Sequence, residues 1–268
     1  MKPIGTLKFV IIMFLFVTTT FSCKKDEPKP DNNTTDVGKA VTFNFKATVN
    51  QSSDFMNQGI IFQNAFGNEF GVTKLRYLIS DITLNKTDGT SHTIDGYHYI
   101  DMDDAGTISF TPSEKITSGN YESIDIVFGL IPDKNISFAY PELNQISWNW
   151  PDAMGGGYHF MQLEGNFIDN SGDPAAYLTH LGPTVNPSTS EVINNDVRLE
   201  LIKNFVVAQG DTDVSIDIEM NIDEWFTNPN TIDFNQFGAM IMGNYDAQIQ
   251  FQANGEVGVF KVGDVISN

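Results

Sequence analysis

From residue 40 onward, hydrophobic and polar residues alternate with a period of two. In "VTFNFKATV", Val41, Phe43, Phe45, Ala47 and Val49 fall on one face. "DVSIDIEMNI" does the same with Val214, Ile216, Ile218, Met220 and Ile222, and "YESIDIVFGL" with Ile124, Ile126 and Phe128. "LRYLISDITL" starts with Leu75, Tyr77 and Ile79, then shifts phase to Ile82 and Leu84. Such alternation predicts strands with one buried and one wet face. Two more strands are expected late in the chain, at "AQIQFQA" and "EVGVFKV". Turn pairs punctuate the runs at Asp88-Gly89, Asp95-Gly96, Ser118-Gly119 and Asn254-Gly255. Helix is expected only as short pieces, at "NIDEWFTNP" and "TIDFNQFGAMIM". The predicted class is all-β: an antiparallel β-sandwich or barrel-like fold with short helical connections. With no internal repeat, residues 39–268 read as one β domain.

The first 38 residues follow another rule. Lys2 and Lys8 supply positive charge before the apolar run "FVIIMFLFV", which is too short to span a bilayer as a mature helix. It ends near Cys23, the only cysteine. Residues 1–22 therefore read as a lipoprotein signal peptide and Cys23 as its lipidation site. Residues 23–38 are polar, contain two prolines and read as a flexible tether. The "KKDE" after the cysteine resembles the export signal that sends lipoproteins of the Bacteroidetes to the cell surface. The expected location is the outer membrane, facing outward, with the membrane as a partner through the lipid anchor.

Composition removes several function classes. The chain has 15 Lys plus Arg against 34 Asp plus Glu, a net charge of −19. A surface this acidic repels phosphate backbones, so nucleic acid is not an expected partner. No phosphate loop, dinucleotide fingerprint or nucleophile elbow occurs, and an acylated Cys23 is no nucleophile. The expectation is a protein that is not an enzyme. "YIDMDDAG" has calcium-loop features in Asp101, Asp103, Asp104 and Gly106, but lacks a closing glutamate, so calcium ranks below copper. The four histidines, His92, His98, His159 and His180, show no metal-binding spacing, so a site must be assembled from separate strands.

Four segments together carry a resemblance. "VTKLRYLISDITL" with "YHYIDMDD", "ITSGNYESIDIVFGL", "ISWNWPDAMGGGYHFMQLEG" and "AAYLTHLG", in this order, resemble the MbnP-like proteins. These are relatives of copper-repressible surface proteins of methane-oxidising bacteria. The resemblance implies a copper site held by histidines. It also implies a tryptophan oxidised to kynurenine by a partner di-haem enzyme, whose new amine helps ligate the metal. Carried over, that implicates His180 of "THLG", with Trp148 or Trp150, and His159 or His98 as a substitute ligand. A histidine expected at Ser80 is missing, which implies a degenerate site. The alternative is a non-enzymatic module that binds glycans or proteins, with the paired tryptophans as an aromatic platform.

Overall fold

The computed structural model describes residues 36–268. The signal peptide, Cys23 and the tether up to residue 35 lie outside the described residues. Nine long strands form the frame: β1 Lys39–Thr48, β2 Glu69–Lys86, β3 Ser91–Asp101, β4 Gly119–Phe128, β5 Met161–Ile168, β6 Pro174–Leu181, β7 Val197–Val207, β8 Asp213–Asn221 and β9 Phe260–Ser267. They build two sheets, and neither closes into a barrel, so the fold is a β-sandwich. The smaller sheet runs β9-β8-β1, with short strands pairing the free edge of β1. The larger runs β7-β4-β2-β5-β6, with β3 on the other edge of β2. Pairing is antiparallel throughout this frame except for β1 with β8, which are parallel.

The alternating faces meet as the period-two pattern requires. Phe45 of β1 meets Tyr77 of β2 edge-on, with ring centroids 6.5 Å apart. Phe260 of β9 packs on Tyr77 at 6.2 Å and on Phe128 at 5.8 Å. Each such fully buried side chain contributes about 1.5–3 kcal/mol of transfer free energy. The phase shift in "LRYLISDITL" is a bulge. Asp81 takes φ +52° and the register with β3 slips between Ser80 and Ile82. The bulge takes up Asp95-Gly96 on the facing strand, so that pair bends β3 instead of ending it.

One expected strand is a helix. "AQIQFQA" lies in α2, Tyr245–Gly255, whose first turn is capped by Asn244 accepting from the Ala247 amide. The residues it buries are Ala247, Gln248, Phe251, Asn254 and Gly255, which is helical spacing. Gln and Ala gave an apparent alternation, but the apolar positions that reach the core recur every three or four residues. Asn254-Gly255 accordingly closes a helix and not a hairpin. The other short helical segments stand where expected, at Ile222–Phe226 and Phe234–Phe237.

The length of β2 positions the site. Residues 70–77 pair with β5 and residues 79–86 with β4, on one edge. At the seam, Leu78 donates its amide to the Phe160 carbonyl and accepts from the Gly129 amide. Gly129 is at φ +89°, and a Cβ there would sit 2.5 Å from the Phe160 ring. The loop between β4 and β5 therefore leaves and returns at one point, carrying both tryptophans with it.

Candidate metal centre

The tryptophan segment is a small hairpin. The Trp150 amide donates to the Gly157 carbonyl and the His159 amide to the Trp148 carbonyl, both at 2.9 Å, with Asn149 opposite Tyr158. Its tip is a 3-10 turn, Asp152–Met154, followed by three glycines at φ +118°, +71° and +83°. Three successive left-handed residues are tolerable only as glycine. The hairpin lays both indoles inward, each 2% exposed or less. Trp148 meets Tyr99 edge-on at 5.0 Å and His159 at 5.4 Å; Trp150 meets His159 edge-on at 4.8 Å. The Trp150 N–H donates to the Met154 carbonyl at 3.2 Å, whereas the Trp148 N–H is buried with no partner among the described residues.

"THLG" supplies the opposite wall. His180 lies 5.3 Å from His159, ring centre to ring centre. Two residues on, Gly182 leaves room for Trp150, whose ring would be 2.7 Å from an added Cβ. We expect Gly182→Ala to cost about 1–3 kcal/mol through this overlap. Urea denaturation measures it, and an unchanged midpoint would show that the Trp150 ring moves aside freely.

Acceptor-only partners fix both imidazoles. His159 Nδ1 lies 3.0 Å from the Trp148 carbonyl, so Nδ1 must carry the proton. His180 Nε2 lies 2.8 Å from Glu164 Oε1. Burial pushes the Glu164 carboxyl up, but hydrogen bonds from Lys74 and His180 outweigh it and hold the group below its usual range. Glu164 is thus an ionised acceptor, and His180 Nε2 is the donor. The other two nitrogens, His159 Nε2 and His180 Nδ1, keep their lone pairs. Burial lowers both histidines below their usual range, His159 to about 4. Near neutral pH both are neutral, the form that ligates metals.

A sequence model of the MbnP family matches residues 38–243. The chain belongs to the MbnP family. The solved structure of MbnP from Methylosinus trichosporium is similar in fold, at 13% sequence identity and a TM-score of 0.52, covering 85% of this chain and 99% of that one. Comparison with curated proteins returned no match.

In this MbnP-family chain, the fold brings together His159, His180, Trp148 and Trp150 from the sequence-derived set. It does not bring His98. That ring is stacked between Phe45 and Phe110, with Nε2 at 2.6 Å from the Thr107 carbonyl, and cannot substitute. Ser80 is also elsewhere. His180 pairs with Gln162, which pairs with Arg76, so Ser80 lies two strands across and four residues along. That is roughly 16 Å by strand geometry. Its hydroxyl donates to the Gly129 carbonyl at 2.7 Å. Ser80 is thus not set beside His180. The acidic loop spends its carboxylates locally. Asp101 pairs with Arg76 and accepts the Asp103 amide; Asp104 accepts the Gly106 amide. Among the described residues, no three His, Cys, Asp or Glu side chains converge on one point.

Glu164, Lys74, Gln248 and Tyr99 escaped the sequence reading. The outward positions of "MQLEGNF" marked Glu164 as polar, but only the register of β5 against β6 sets it beside His180.

Proposed function

We propose that the chain is a surface-anchored lipoprotein whose MbnP domain holds one copper(I) ion between His159 and His180, and that it is not an enzyme. The observation that carries this is the pair of neutral imidazoles, each with its proton committed to the protein and one lone pair left. Two imidazoles fall short of the four ligands zinc takes and the six to eight oxygens calcium takes. Copper(I) accepts few ligands, and imidazole suits copper. The indoles of Trp148 and Trp150 supply an apolar wall around it. Of the two, Trp148, with its unpartnered N–H, is the candidate for oxidation by a di-haem partner. Peptide mass spectrometry of protein from its native membrane reads that modification, and unmodified Trp148 in every preparation would remove the partner from the proposal.

The test is a competition titration with a Cu(I) chelator. Wild type should bind one equivalent. His159→Ala and His180→Ala should each weaken binding by more than roughly 100-fold, beyond what outer-shell changes cost. Tight binding that survives either variant would refute the site. For the anchor, Cys23→Ala should shift the protein from the membrane to the soluble fraction; a variant that still pellets places the anchor elsewhere.

A second reading, a glycan- or protein-binding module, keeps one observation in its favour. A groove of about 770 Å³ beside Trp148 is lined by Tyr97, Tyr99, Tyr140, Lys134 and Glu142. Tyrosine faces with charged neighbours suit stacking on sugars or peptides. It becomes the preferred function if the wild type takes up no copper.

A further inference from the structure

We propose that Glu164, held by Lys74, is the positioning residue of the histidine pair: it locks His180 as the Nε2–H tautomer and so makes Nδ1 its donor nitrogen. The inference rests on the copper reading for its purpose, while its first test needs no metal.

The three residues come from three adjacent strands. Lys74 on β2 pairs with Glu164 on β5, and His180 on β6 sits two residues from Leu178, the residue facing Glu164. Glu164 uses both oxygens. Oε2 accepts from Lys74 Nζ at 2.8 Å and Oε1 from His180 Nε2 at 2.8 Å. A carboxylate gripped from both sides cannot rotate away from the imidazole. The backbone of His180 is fixed as well. Gln248 on α2 donates to the His180 carbonyl at 2.8 Å and accepts the Gly182 amide at 3.3 Å. Without Glu164, the His180 ring would keep its position on β6 but not a chosen nitrogen. A ring flip or tautomer change would then take the lone pair away from Nδ1. His159 needs no such side chain, because the Trp148 carbonyl performs the same task inside the hairpin. The two imidazoles are thus pre-set by unrelated devices, one of backbone and one of side chains. Metal-ligating histidines commonly donate their other N–H to a carboxylate or carbonyl, which orients the ring and raises its basicity.

Nitrogen-15 NMR of the imidazoles in metal-free protein reads the tautomers directly. Wild-type His180 should be protonated at Nε2 alone and His159 at Nδ1 alone. Glu164→Ala should convert only His180 to a tautomer mixture. Gln162→Ala, which alters the register partner of His180, should change neither. In parallel, Glu164→Ala should weaken Cu(I) binding by roughly 10–100-fold, with Lys74→Ala losing less in the same direction. Lys74 is a partly exposed side chain, so Lys74→Ala carries the test if Glu164→Ala fails to fold. A single fixed His180 tautomer in Glu164→Ala overturns the proposal. So does a tautomer mixture with unchanged copper affinity. Wild type that binds no Cu(I) would end the copper reading, and the NMR result would still decide whether Glu164 sets His180.

Discussion

Trp148→Ala is expected to lower the stability of the protein by about 3–5 kcal/mol, the range for removing a large buried aromatic. The indole is 1% exposed and joins three parts of the structure. It packs edge-on against Tyr99 of β3 and, tilted, against His159 in the returning arm of the hairpin. Its own amide donates to the Leu143 carbonyl in α1, Pro141–Gln145. Deleting the ring opens a cavity between the hairpin, Tyr99 and His159. Thermal or urea unfolding measures the loss. The size of the effect also separates two roles. A tryptophan serving as an exposed sugar platform is removed with a change of roughly 0.5 kcal/mol or less. An unaltered midpoint would show that neighbouring side chains close over the space. A large loss fits both indoles being walls of the histidine pair.

How much of this was legible beforehand differs between the fold and the site. Strand identity followed from alternation at β1, β4 and β8, because in each the apolar positions of one face enter the core. The phase slip at Ile79–Ile82 even marked the bulge at Asp81. α2 was misread because Gln248 and Asn254 are buried polar residues with specific partners. Gln248 serves the His180 backbone, and Asn254 donates to the Trp225 and Asn230 carbonyls. A rule that treats buried as apolar misses them. At the site, the resemblance supplied His180 and the tryptophans, but it could not rank His159 above His98. Both sit among aromatics. What separates them is that His98, on β3, stacks between Phe45 and Phe110, while His159 belongs to the hairpin and meets Trp148 and Trp150. That difference is set by register, which depends on contacts far apart in sequence. The separation of Ser80 from His180 was hidden for the same reason: a position in one strand says nothing of its distance from a position two strands away.

Acidification should destabilise the metal-free protein well above the pH at which its carboxylates titrate. Burial holds the His159 imidazole at about 4, against about 6.5 for an unfolded histidine. The sign follows from which state takes up the proton. Between pH 6.5 and 4 the unfolded chain binds a proton at this residue and the folded chain does not. The contribution is therefore complete above 6.5 and lost as pH falls toward 4. Two and a half units at 1.36 kcal/mol each amount to roughly 3 kcal/mol. His98 and His180 are also lowered, chiefly by burial, and add loss of the same sign. Asp223, raised by burial, opposes them, because its folded form gains its proton first. Urea denaturation of chelator-treated protein at pH 7.5 and pH 5 should show a clear drop in midpoint. His159→Gln, which cannot titrate, should begin less stable and fall less steeply across that interval. A wild-type midpoint that stays level from pH 7.5 to 5 would mean that His159 takes up its proton in the folded state, and a cationic imidazole beside His180 would hold no copper.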